Sequence, residues 1–191
     1  MSDPLKPYVD LVLDDTDRLL FEEAAASARG GASRAAYIMI WVSCAESLKR
    51  RFNAVKTRDG IARKVAGDIA RIEADRKSID MYVLAKAKEY GFIDDAGFTR
   101  LSHIYEMRCI YGHPYEKQPS EEDLVAAAAA VTELVLSQPV RLRHGYLAEQ
   151  VRLLTEERAF LDDRSEAVTA YAKEVFGRMD EGLLDWFLEK L

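Results

Sequence analysis

The residues with the most distinctive chemistry lie together near position 110. Arg108 precedes His113 by five positions, within the segment Tyr105-Glu-Met-Arg108-Cys-Ile-Tyr-Gly-His113-Pro-Tyr115. A histidine can move protons near neutral pH, and an arginine can stabilise negative charge that develops on phosphorus. Such a pair is the minimum needed to cleave a phosphodiester bond, so these two residues are the candidate catalytic pair.

The spacing along the predicted helix 95–112 puts the arginine on an apolar face. Phe98, Leu101, Tyr105 and Arg108 are three or four positions apart, so their side chains form one stripe. A guanidinium on this face needs a carboxylate partner or an anion, because burying it unpaired is very costly.

The break after this helix positions the histidine. We expect Gly112 to end the helix in the left-handed conformation, and Pro114 to exclude His113 from the helical region. The carbonyl groups at the helix end favour a positively charged imidazole. His113 is therefore predicted just beyond a helix C-terminus, where the chain can fold back toward Arg108.

Glycine and proline divide the rest of the chain into helices, and no hairpin signal or alternating pattern indicates strands. Helices are predicted from Pro4 or Pro7 to about 29, over about 33–54, within 61–90 in one or two pieces, over 95–112, and from an N-cap at Ser120. The predicted fold is all-α: a bundle of four to five helices over residues 1–139, followed by a helical extension or the start of a further domain over 140–191. The apolar group Trp186-Phe187-Leu188 lies close to the last residue of the sequence, which favours a piece of a longer protein.

The charge is unevenly distributed. The 191 residues carry a net charge of −6, yet seven basic and only two acidic residues lie between positions 45 and 64. A local basic patch fits an anionic partner such as RNA, and it equally fits an ordinary solvated helix face. The residues predicted to bind RNA are Lys49, Arg50, Arg51, Lys56 and Arg58.

Several classes of protein are disfavoured by the sequence. Cys44 and Cys109 are too few for a disulfide framework and lack the spacing of a zinc site, so neither metal nor cofactor is predicted. The longest apolar run has eleven residues, which is short of a membrane span. No secretory signal begins the chain, and the default expectation is a reduced, cytoplasmic protein.

Arg108 and His113, with four residues between them at the end of a helix, resemble the signature of the HEPN superfamily, whose members are small all-α bundles. The extension to Tyr115 is similar to the Arg-x4-His-x-Tyr form of HEPN toxins. The apolar helix that runs into Cys44-Ala45-Glu46-Ser-Leu-Lys49-Arg50 also looks HEPN-like. The resemblance spans about residues 4–135, and Cys109 departs from it, since a polar residue commonly follows the arginine.

The resemblance implies a metal-independent endoribonuclease that acts as a toxin or antiviral defence effector. Two chains would pair as a homodimer so that both motifs line one cleft, and an antitoxin or a further domain would be an additional partner. His113 would transfer protons, Arg108 would clamp the phosphate, and Glu46 would orient one of them. Tyr115 and Tyr111 would support the site or accept a modification.

Other interpretations remain open from the sequence. The chain could be a non-catalytic HEPN-like module that binds nucleotide or RNA or mediates dimerisation, or an unrelated helical protein in which the motif is accidental. Arg108 could pair with Glu46 or Glu106, and Glu46 could form a helix-stabilising pair with Arg50 four positions later. The tyrosines could serve packing alone.

Overall fold

The computed structural model describes residues 3–57, 59–114, 117–141, 144–157 and 160–191, without the side chains of His144 and Glu181. The fold is all-α, as predicted. The specific HEPN arrangement of the bundle stays a prediction. Within the described ranges, none of the helices combines the length and apolar composition needed to cross a membrane.

Twelve helical elements follow one another in the described ranges. They are α1 (Lys6–Val9), α2 (Asp15–Arg29), α3 (Ser33–Val55), α4 (Gly60–Ala74), α5 (Asp80–Tyr90), α6 (Asp95–Gly112), α7 (Glu121–Val131), a π-helical turn (Thr132–Leu136), α8 (His144–Glu156), α9 (Ser165–Arg178), a 3-10 turn (Glu181–Leu183) and α10 (Leu184–Lys190).

The chain divides into two compact units. The first unit comprises residues 1–50 and 69–138, and the second comprises 51–68 and 139–191. The division into compact units differs from the predicted division into a bundle over residues 1–139 and an extension or further domain over 140–191. Whether those two ranges are independent domains stays a prediction.

The expectation of a single first helix up to residue 29 is wrong. The segment forms the short α1 and the longer α2, and Asp14 separates them. Asp14 is extended, and its carboxylate accepts hydrogen bonds from the backbone N–H groups of Thr16 at 2.9 Å and Asp17 at 3.0 Å. This N-cap satisfies donors at the start of α2, and it requires a non-helical residue at position 14.

The remaining predicted helices of the first 139 residues are confirmed. The region 61–90 forms two pieces, α4 and α5, and Arg76 adopts a positive φ of 57° between them. Ser120 caps α7 in a reciprocal arrangement, since its hydroxyl accepts from the Asp123 N–H while the Asp123 carboxylate accepts from the Ser120 N–H.

The core of the first unit contains the apolar part of α3. Ile40, Trp41 and Cys44 are fully buried there, and even the intervening Ser43 is buried. The helix α6 packs against α5 and α7. The first unit therefore holds the segment that carries Arg108 between two neighbouring helices.

The second unit has its own apolar contacts. Leu147 of α8, Val175 of α9 and Phe187 of α10 are buried, and α10 packs against α8. Phe176 packs edge-on against Phe187, with ring centroids 6.0 Å apart. The region after Pro139 is helical, as predicted.

Candidate active site around Arg108 and His113

The helix α6 presents Arg108 from its inward face. Leu101, Ile104 and Tyr111 are buried on this helix, and Arg108 lies between the last two at helical spacing. The Arg108 side chain is 31% exposed, so its guanidinium is partly removed from water. The predicted position of Arg108 on the apolar stripe is confirmed.

The carboxylate beside Arg108 belongs to Asp80, at the start of α5. Asp80 Oδ1 accepts a hydrogen bond from the buried Trp41 Nε1 at 2.8 Å, and Oδ2 accepts from Ser78 Oγ at 2.6 Å. Arg108 Nη1 lies 3.9 Å from Asp80 Oδ2, and the Trp41 and Tyr105 rings are 5.2 Å apart. We refer to Trp41, Ser78, Asp80, Tyr105 and Arg108 as the Asp80 cluster.

The guanidinium of Arg108 is only loosely held within this cluster. A separation of 3.9 Å from Asp80 is an ion pair without a hydrogen bond, and Nε is buried with no acceptor among the described residues. The guanidinium carbon lies 6.0 Å from the centroid of the Tyr105 ring. Because an arginine has five N–H donors, this one retains the capacity to bind an oxyanion.

His113 lies just beyond α6 and is exposed. Its backbone is extended, with φ −85° and ψ 126°, as Pro114 was expected to require. The expectation for Gly112 is wrong: Gly112 is the last residue of α6 and does not have a positive φ. The helix therefore ends at the His113-Pro114 step without a left-handed glycine.

No hydrogen bond or ion pair joins Arg108 to His113 among the residues that the structure describes. The His113 N–H donates to the carbonyl oxygen of Ile110 at 3.1 Å. Its imidazole is exposed, whereas the guanidinium of Arg108 is partly buried. Within one chain the two groups therefore form no hydrogen-bonded pair.

Glu46 has a different partner from those expected. Its carboxylate accepts from Lys49 Nζ at 2.7 Å, and Lys49 also pairs with Glu73 at 2.9 Å. Burial alone would lower the pKa of Lys49, but the hydrogen bonds that its ammonium donates to Glu46 and Glu73 outweigh burial and raise the pKa. The alternative of a Glu46–Arg50 pair is wrong, and the orienting role of Glu46 stays a prediction.

Two other cations from the predicted RNA-binding set are also held inside the fold. Arg50 pairs with Asp17, whose carboxylate is only 6% exposed, and Arg50 Nε donates to it at 2.7 Å. Arg51 is 6% exposed, and its Nη1 donates to the Pro139 carbonyl oxygen at 3.3 Å. These contacts reduce the positive charge that Lys49, Arg50 and Arg51 can offer to a phosphate.

The remaining predicted residues differ in their surroundings. Lys56 is exposed and bonds Asn53 Oδ1 at 2.9 Å, while Arg58 and Tyr115 lie outside the described residues. Tyr111 is buried, and its hydroxyl donates to Asp123 at 3.1 Å. Burial and this hydrogen bond raise the pKa of Tyr111. A structural role fits Tyr111 better than a role as an accessible modification site.

Sequence reasoning missed Asp80 and Asp17. Trp41 gave the only signal for Asp80, because a buried indole N–H needs an acceptor, but nothing in the sequence specifies an acceptor 39 positions away. Among the described residues, no three or more His, Cys, Asp or Glu side chains are grouped closely enough to hold a metal ion.

The site therefore consists of the partly buried Arg108 guanidinium, which is only loosely held, and the exposed His113 imidazole just beyond the end of α6. Comparison with known proteins adds nothing to this geometry: no protein-family model, no curated protein and no solved structure matches the chain.

Proposed function

We propose that this chain is a metal-independent endoribonuclease of HEPN type. The observation that supports the proposal best is Arg108, which lies on the inward face of α6 with uncommitted donors, five positions before the exposed His113. An arginine in this state can bind a phosphate oxygen, and an exposed imidazole can reach a proton on RNA.

The proposed reaction exchanges one P–O bond for another and transfers, in net, one proton from the 2′-oxygen to the 5′-oxygen. The RNA 2′-oxygen bonds to the adjacent phosphorus while the bond from phosphorus to the 5′-oxygen breaks. The proton leaves the 2′-hydroxyl and a proton arrives on the departing 5′-oxygen, with His113 as the transferring group. The products are a cyclic phosphate and a 5′-hydroxyl, and Arg108 stabilises the charge on the phosphate oxygens.

Dimerisation supplies a way to bring the two types of side chain onto one phosphate. In the described residues no hydrogen bond or ion pair joins Arg108 to His113, and a cleft lined by both motifs of a homodimer would pair residues across the two chains. Asp80 then acts as a positioning residue, because Trp41 and Ser78 fix its carboxylate beside Arg108.

Cleavage of mixed cellular RNA in the presence of EDTA tests this proposal. The wild-type chain should cleave, His113→Ala should not, and His103→Ala should retain activity, since His103 is an exposed histidine on α6, the helix that precedes His113. Cleavage that survives His113→Ala, or that disappears equally in His103→Ala, would contradict the assignment.

A role as a toxin or antiviral defence effector follows from such an activity. Expression in bacteria should slow growth, and His113→Ala should relieve the effect at equal protein level. Equal growth with both chains at equal expression would argue against a toxic RNase.

A second candidate function is a non-catalytic module that binds RNA or nucleotide or mediates dimerisation. The ion pairs of Lys49 and Arg50 favour it, because they remove cations from the expected RNA path. This alternative predicts a dimer or an RNA complex whose formation is unaffected by His113→Ala, together with no cleavage by the wild type.

A further inference from the structure

The last turn of α6 is attached to the first turn of α7 by a side-chain hydrogen bond. Tyr111 is buried, and its hydroxyl donates to Asp123 Oδ2 at 3.1 Å. The Tyr111 ring packs edge-on against Tyr37 of α3, with ring centroids 4.9 Å apart. Tyr111 therefore contacts both α3 and α7, and it lies only two positions before His113.

The acceptor of this bond is itself fixed in place. Asp123 Oδ2 also accepts the Ser120 N–H at 2.9 Å, and the Asp123 N–H donates to Ser120 Oγ at 3.1 Å. The bond from the Ser120 backbone lowers the pKa of Asp123, whereas burial and the bond to Asp123 raise the pKa of Tyr111. At neutral pH a phenol therefore donates to a carboxylate, and such charge-assisted bonds are stronger than neutral ones.

The end of α6 depends on this attachment because its own backbone cap is minimal. The His113 N–H donates to the carbonyl oxygen of Ile110 at 3.1 Å, which closes one tight turn. Gly112 does not adopt the left-handed conformation that accompanies the common glycine caps. Helix ends without such support fray, so the side chain of Tyr111 supplies the restraint that the backbone lacks.

The bond between Tyr111 and Asp123 joins the chain on the two sides of His113. Six residues, 114–119, separate His113 from the Ser120 cap. Joining the residues before and after such a segment reduces the number of conformations that its backbone can adopt. The His113 imidazole is exposed, so the position of its backbone determines where the imidazole lies. A displacement of about 1 Å in a catalytic arrangement can cost about a hundredfold in rate.

We propose that Asp123 is a positioning residue for His113 and that it acts through the Tyr111 hydroxyl. The inference rests on the proposed function, since proton transfer by His113 belongs to that function. Tyr111 is buried, so it acts through the backbone of the last turn of α6 and not by touching RNA. Loss of the bond should therefore slow the chemical step and leave the binding of RNA nearly unchanged.

Steady-state cleavage of an RNA oligonucleotide by the full chain in EDTA tests the effect on rate. Tyr111→Phe keeps the ring and removes the hydroxyl, so kcat should fall at least about tenfold while KM changes less than about twofold. Asp123→Ala should have the same effect, whereas Asp123→Asn retains an oxygen for Tyr111 and Ser120 and should keep most of kcat. Tyr171→Phe is the matched control, because it removes a 2.8 Å hydroxyl bond to Gln150 in the second unit and should leave kcat unchanged.

Amide hydrogen exchange without RNA tests the attachment separately from catalysis. The His113 N–H should exchange at least about fivefold faster in Tyr111→Phe and at the wild-type rate in Tyr171→Phe. Unchanged exchange or unchanged kcat in a folded Tyr111→Phe chain would overturn the inference, and so would an equal loss of kcat in Tyr171→Phe. If the wild type does not cleave RNA, the proposed function fails, and the exchange rates still decide whether Asp123 and Tyr111 hold the backbone at His113.

Discussion

Replacement of Asp80 by alanine should destabilise the first unit measurably. The Asp80 carboxylate is the acceptor for the N–H of Trp41, whose side chain is fully buried. Asp80→Ala leaves that donor unsatisfied, which costs about 1–3 kcal/mol. The ion pair with Arg108 adds less than about 1 kcal/mol, because its atoms are 3.9 Å apart and Arg108 is 31% exposed.

The expected loss in free energy of unfolding is therefore about 2 kcal/mol. It corresponds to a decrease of about 1 M in the urea midpoint for a typical dependence on denaturant. Asp80→Asn retains an oxygen for the Trp41 N–H and should lose less than about 1 kcal/mol. Asp75→Ala is the matched control, since its pair with Lys77 is largely exposed and should contribute almost nothing.

Tryptophan fluorescence can report this transition locally. The chain has two tryptophans, so a Trp186→Phe background leaves Trp41 as the only indole. Urea unfolding of Asp80→Ala, Asp80→Asn and Asp75→Ala in that background gives the three midpoints. Trp41→Phe alone and combined with Asp80→Ala completes a double-mutant cycle, with unfolding followed by circular dichroism. The expected coupling free energy is about 1 kcal/mol. Equal losses in Asp80→Asn and Asp80→Ala, or additive effects of Asp80→Ala and Trp41→Phe, would refute the reasoning.

Three further outcomes are expected. Arg50→Ala should lower the free energy of unfolding by about 2–3 kcal/mol, because it leaves the buried carboxylate of Asp17 without its partner. The control Lys56→Ala should change the free energy of unfolding by less than about 0.5 kcal/mol. Similar urea midpoints for the two variants would contradict this expectation. Hydrogen bonding from the Ser120 backbone, opposed by burial and aided by the Tyr111 hydroxyl, lowers the pKa of Asp123. The stability from this shift is present above the unfolded pKa of about 3.9 and is lost as pH falls through the lower folded value. The stability advantage of the wild type over Asp123→Asn should therefore shrink as pH falls below about 4 in thermal melts, and a constant difference would argue against it. Asp80→Asn should reduce RNA cleavage without abolishing dimerisation, and unchanged cleavage would remove Asp80 from its positioning role.

Helix positions were predictable where local signals agreed. The structure has three features that local signals predicted: the apolar helix α3, the Ser120 cap at the start of α7, and the end of α6 at the His113-Pro114 step. The first helix was mispredicted because the Asp14 cap was overlooked in favour of proline at the start. The end of α6 was predicted from Gly112 and Pro114, but Gly112 does not adopt the expected left-handed conformation.

The contents of the candidate site were less predictable than its location. Arg108 could be placed on an inward face from spacing alone, since helical periodicity fixes which side chains share a face. Its acidic neighbour could not, because Asp80 belongs to another helix and meets α6 only through tertiary packing. The same holds for Arg50, whose partner Asp17 lies 33 positions earlier in the chain.

The termini left on a defined RNA test the central claim most directly. One RNA oligonucleotide and its fully 2′-deoxy counterpart are incubated with the wild-type chain in EDTA, and the products are identified by mass. The proposed chemistry predicts a cyclic phosphate and a 5′-hydroxyl from the RNA and no cleavage of the deoxy strand. Cleavage of the deoxy strand, or products with 5′-phosphate ends, would contradict attack by the 2′-hydroxyl and with it the roles assigned to Arg108 and His113.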